Sequence, residues 1–145
     1  MSRRTGIITA ALATAFALGT LSGPATATSA AHIAGNCSSY GNSGSVKAYY
    51  YTSGNYDYFN RINYFLGGKG LRNKSNVHLR IRKHRPGFYD KTLWEWRSGD
   101  NVRPGGGGRS VNVRVKRGDT VYVDYRFVFD RRLGDPRCHG KTNRI

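Results

Sequence analysis

Residues 110–130 read Ser-Val-Asn-Val-Arg-Val-Lys-Arg-Gly-Asp-Thr-Val-Tyr-Val-Asp-Tyr-Arg-Phe-Val-Phe-Asp, and this stretch decides the fold class. Val111, Val113 and Val115 alternate with Asn112, Arg114 and Lys116; beyond a turn at Arg117-Gly118-Asp119, Val121, Val123, Tyr125, Phe127 and Phe129 alternate with Tyr122, Asp124, Arg126, Val128 and Asp130. Successive side chains of a strand point to opposite faces, so this period of two predicts strands with one face in a core and one in water. No helical spacing competes with it.

Working outward, the same alternation recurs. Val77, Leu79 and Ile81 alternate with His78, Arg80 and Arg82. Residues 46–52 are rich in tyrosine and β-branched types and stop at Ser53-Gly54-Asn55, a turn signal. In 56–66, Tyr56, Tyr58, Ile62, Tyr64 and Leu66 fall on one face, with Asn60 the exception. In 92–97, Trp94 and Trp96 oppose Leu93 and Glu95. Pro86-Gly87, Ser98-Gly99-Asp100 and Pro104 punctuate these runs, and Gly105 to Gly108 read as a mobile connector. No Lys-Ser/Thr follows the glycines, so they are not a phosphate cradle. The pattern predicts an all-β fold, a small antiparallel β-sandwich or small barrel of about six to seven strands.

The N-terminus sets the compartment. Arg3 and Arg4 precede an apolar run over 7–21, then Gly23-Pro24 and small-residue cleavage options such as Ala25-Thr26-Ala27 and Ser29-Ala30-Ala31. This is the pattern of a secretory leader over 1–31, cut between 27 and 32, and the run is too short for a membrane anchor. The expected product, residues 32–145, is one secreted domain without a transmembrane segment. Cys37 and Cys138, the only cysteines, are expected to close it as a disulfide, because export places them where such bonds persist.

The whole chain carries a formal net charge of +16. Removing Arg3 and Arg4 leaves 22 basic residues against 8 acids, a net +14. Such a balance attracts polyanions over long range. On the strand faces the charge concentrates at Arg80, Arg82, Lys83 and Arg85, and again at Arg114, Lys116 and Arg117. If those strands lie side by side, arginines stand opposite one another, which costs stability unless an anion or an acid such as Asp124 or Asp130 intervenes. Tyr49, Tyr50 and Tyr51 cannot all point inward, so Tyr49 and Tyr51 are candidates to stack on bases or sugar rings beside the arginines.

Catalytic chemistry is thinner. The four histidines show no zinc-ligand spacing, so neither a metal nor a cofactor is expected. A basic ribonuclease needs a general base, a general acid and a cationic clamp. Glu95, the only glutamate, with His78 or His84 and Arg80 or Arg82, supplies those residue types; a plain alternative is that Glu95 balances Arg97 or Lys91 on a wet face. The preferred expectation is a non-catalytic module whose Arg-rich face binds an anionic partner such as a wall polymer, nucleic acid or acidic glycan. A secreted hydrolase or toxin is the second reading, and a protein-binding or inhibitor module displaying Gly105 to Arg109 the third.

Overall fold

The computed structural model describes residues 30–145, which form eight strands and no helix. One sheet contains β1 (Ala31–Ser39), β2 (Asn42–Ser53), β3 (Tyr56–Gly68) and β6 (Gly105–Lys116), in the order β1-β2-β3-β6. The other contains β4 (Asn76–Lys83), β5 (Lys91–Arg97), β7 (Val121–Val128) and β8 (Arg137–Lys141), in the order β5-β4-β7-β8. All pairings are antiparallel. The expected leader lies outside the described residues except for Ala30 and Ala31, and β1 begins at Ala31.

The alternating residues do what the pattern requires. Val111, Val113 and Val115 from one sheet and Val77, Leu79, Ile81, Val121, Val123, Tyr125 and Phe127 from the other are buried in a single shared core. Two separate sheets, each with its own edges, make this a sandwich rather than a closed barrel. Among the described residues, no helix is long and apolar enough to cross a membrane.

Three features depart from expectation. Eight strands form rather than about six to seven, because β1 has Ile33 as its one β-branched residue and β8 has none, so both carry little strand signal. Their inward positions are small for a reason: a Cβ at Gly35 would come 2.7 Å from the Tyr125 hydroxyl oxygen, and one at Gly140 2.6 Å from it. The Tyr125 hydroxyl donates to the Asn36 carbonyl at 2.8 Å, so these strands wrap the ring rather than add apolar bulk.

Gly105 to Gly108 are the second departure. They are the first residues of β6, hydrogen-bonded to β3, and not a mobile connector or displayed loop. Gly107 stands opposite Tyr64, whose ring would lie 2.3 Å from a Cβ there. Tyr64 in turn stacks on Trp96 of β5 at 5.7 Å, with the Arg109 guanidinium 4.1 Å over the indole. The missing side chains make room for that contact between the sheets.

Third, β2 and β3 change register between Tyr49 and Tyr50, opposite Arg61 and Phe59, leaving Asn60 as an extra residue. A bulge of this kind resets which face a strand presents. Phe59, Ile62 and Leu66 are buried, so Tyr56 and Tyr58 face outward while Ile62, Tyr64 and Leu66 face inward. The turn at Arg117-Gly118-Asp119 forms where expected, and it carries the chain from β6 in one sheet to β7 in the other.

Cys37 on β1 and Cys138 on β8 form the disulfide, their Cα atoms 5.8 Å apart. It joins an edge strand of one sheet to an edge strand of the other. The tail beyond β8 reinforces this flank: Asn143 donates its amide to the Ala34 carbonyl at 3.1 Å and accepts the Ala34 amide on Oδ1 at 2.7 Å.

Candidate functional site

The two cationic strands, β4 and β6, do not lie side by side but in different sheets. On β4, Arg80 stands opposite Asp124 of β7 and Glu95 of β5. Arg80 donates to the Asp124 carboxylate at 2.8 Å, Arg82 approaches it at 3.7 Å, and Arg82 also donates to the Asp90 carbonyl at 2.7 Å. Both guanidiniums are therefore half-buried and engaged within the protein. Asp130 neutralises neither; its carboxylate accepts the Lys74 amide at 2.9 Å.

Glu95 meets His78 but not His84. His78 Nε2 donates to Glu95 at 2.7 Å, and Arg97 grips the same carboxylate oxygen through two nitrogens at 2.8 Å. The Arg97 hydrogen bond, then that of His78, hold the Glu95 carboxyl below its ordinary value. Partial burial outweighs the Glu95 contact and holds the His78 imidazole below its own. Glu95 is held by Arg97 and His78 together, while Arg80 and Arg82, the clamp of the ribonuclease reading, are turned to Asp124 and the Asp90 carbonyl instead. Glu95 and Arg97 form a surface ion pair, with His78 hydrogen-bonded to the same carboxylate oxygen.

The remaining cationic residues do converge. Lys83 at the end of β4, Arg85 just beyond it, Lys91 at the start of β5, and Arg114 and Lys116 at the end of β6 line one open cleft of about 370 Å³, with Leu93, Val115 and Asp119. It lies where edge strands β5 and β6 of the two sheets come together. Lys83 is paired directly with Lys91 across the β4–β5 register. Like charges in that relation destabilise a hairpin. Asp119, at 2.8 Å from Lys83, offsets part of this and is the only acid in the lining. Arg117 stands on the adjoining turn, its amide donating to the Asn55 carbonyl at 2.9 Å.

A braced loop over 84–90 borders the cleft. The Asp90 carboxylate accepts His84 Nδ1 at 3.0 Å, the Arg85 amide at 3.2 Å and the Tyr122 hydroxyl; Arg85 donates to the Tyr89 carbonyl at 2.6 and 2.9 Å. Bracing from below leaves Phe88 and Tyr89 77% and 93% exposed at the loop tip. The Tyr122 hydrogen bond is the main reason the Asp90 carboxyl drops from 3.8 to about 2, while burial first, and Asp90 second, push the Tyr122 phenol from 10.0 up to about 12.

Linkage gives the pH dependence. A lowered acid stabilises the fold above its unfolded value, so this contribution is lost as pH falls from about 4 to about 2. A raised phenol stabilises below its unfolded value, so that contribution is lost as pH rises from about 10 to about 12. Urea midpoints across pH should therefore fall in both windows, and Asp90→Asn should flatten both relative to wild type. Parallel curves for the two proteins would show that Asp90 does not anchor the loop.

Tyr49 and Tyr51 lie away from Arg80 and Arg82, on the outer face of the β1-β2-β3-β6 sheet. There the bulge at Asn60 brings Tyr56 and Tyr58 beside them. Tyr51 and Tyr58 stack at 5.2 Å with planes 10° apart, Tyr56 meets Tyr58 edge-on at 6.4 Å, and Arg114 lies 4.6 Å over the Tyr56 ring. Arg114 thus belongs to both the cleft and this aromatic strip.

Sequence reasoning missed Lys91, Tyr56 and Tyr58 as site residues. Pairing 77–82 with 92–97 as a hairpin would have set Lys91 against Lys83. The tyrosines were hidden by the bulge, which no periodicity reveals. Among the described residues, no group of three or more His, Cys, Asp or Glu side chains converges as a metal site. Fold and cleft together define a small disulfide-closed β-sandwich with a cationic cleft at one flank. No protein-family model matches the chain, and no curated protein matches it at a significant level.

Proposed function

We propose that the processed chain is an exported, non-catalytic module that binds a polyanion through the cleft of Lys83, Arg85, Lys91, Arg114 and Lys116. The observation that carries this reading is the gathering of five basic side chains around one acid, with Lys83 set against Lys91 at a cost to the hairpin. A bound anion removes that cost. Arginine adds forked, bidentate contacts to phosphate, sulfate or carboxylate groups. The net +14 of residues 32–145 favours encounter with such a chain at long range. The disulfide and the leader pattern support export.

Salt titration tests the cleft. Binding of single-stranded DNA should weaken linearly on a log–log plot against salt. Lys91→Glu/Lys116→Glu should reduce that slope by roughly 1.4, the loss of two phosphate contacts at about 0.7 each. Wild-type binding indifferent to salt would end the electrostatic reading; an unchanged slope in the variant would remove the cleft from it.

A further inference from the structure

Each outward tyrosine of β2 and β3 that faces a charged cross-strand neighbour faces a basic one: Tyr49 stands opposite Arg61, Tyr58 opposite Arg114 and Tyr56 opposite Lys116. Tyr51, 51% exposed, stacks on Tyr58, and Tyr56 is 37% exposed. We infer that the polyanion is single-stranded nucleic acid, its phosphates held by the cleft and its bases stacked on the Tyr51–Tyr58–Tyr56 strip. This rests on the cleft reading and goes further by naming the ligand class. Sequence-tolerant binders of single strands combine a positive groove that follows the backbone with rings on which successive bases stack. Both parts are present here, and Arg114 joins them.

The strip selects among polyanions. A duplex keeps its bases stacked inside and offers the tyrosines only its backbone. An acidic glycan satisfies the cleft but offers the tyrosines sugar rings in place of planar bases, a difference the heparin probe reads directly. Rings interleaved with arginine and lysine at neighbouring-strand spacing match a ligand in which base and phosphate alternate.

The test compares four probes on the oxidised chain at equal salt: an oligothymidylate, an abasic oligomer with the same number of phosphates, a duplex, and heparin. The oligothymidylate should bind at least about tenfold more tightly than the abasic oligomer, since one stacked base is worth roughly that factor. Tyr51→Ala/Tyr58→Ala should abolish this preference while leaving heparin binding intact. Tyr51→Phe/Tyr58→Phe, which keeps the rings, should retain the preference, and this pair answers the question even if the alanine variant folds poorly. Equal affinity for base-bearing and abasic strands, tighter binding of heparin or duplex than of the single strand, or loss of preference in the phenylalanine variant overturns the inference and leaves the cleft reading standing. Binding to none of the four at low salt overturns both.

Discussion

Cys37→Ser/Cys138→Ser should melt roughly 15–20 °C below the oxidised wild type, a shift read by calorimetry or circular dichroism. The two cysteines are 101 residues apart in sequence. Closing a loop of about 100 residues removes about 4.7 kcal/mol of unfolded-chain entropy in the usual loop model, and a domain of this size loses roughly 4 °C per kcal/mol. Local structure sharpens the expectation. β1 contributes Ile33 as its one fully buried apolar side chain, and β8 contributes Cys138 itself, so neither edge strand holds its place through bulk hydrophobic burial. Hydrogen exchange in the variant should therefore accelerate first in β1 and β8. A shift below about 5 °C, or uniform acceleration, would show that the sheets hold together without the link.

Phe127→Ala should cost about 3–5 kcal/mol in urea unfolding, the range for deleting a fully buried ring. Phe127 is wholly buried, with Tyr125 at 5.7 Å and Phe129 at 6.2 Å between ring centroids. It lies against the backbone of Gly44 in the opposite sheet, where an added Cβ would fall 2.3 Å from the ring. Gly44→Ala in the wild type should accordingly destabilise by about 1–3 kcal/mol through overpacking. In a Phe127→Leu background the same glycine change should cost less, because the ring it collides with is gone. Additive effects of the two changes would refute this direct contact.

The residues that announced the fold are those whose burial alternates without interruption. The valines of β6 and the valine–aromatic series of β7 could be read directly, as could Val77, Leu79 and Ile81 of β4. What could not be read depends on partners distant in sequence. Gly35, Gly44, Gly107 and Gly140 look like breaks in a strand until the rings of Tyr125, Phe127 and Tyr64 are seen to occupy their missing side chains. The bulge at Asn60 reverses the face of Tyr56 and Tyr58, a change of phase that a single chain does not disclose. The site was half legible for the same reason. Lys83, Arg85, Arg114 and Lys116 were identifiable as basic clusters, but only the folded arrangement shows them meeting across the two sheets, and shows Arg80 and Arg82 already answered by Asp124.

The covalent link between β1 and β8 also determines how the molecule bears mechanical load. Tension applied to the two chain ends passes along the start of β1, crosses at Cys37–Cys138 and leaves through the C-terminal tail, bypassing residues 38–137. The cleft lies on the other flank, between β5 and β6, inside that bypassed segment. A chain tethered by its ends could be pulled hard enough to peel both termini while its grip on a ligand stayed intact.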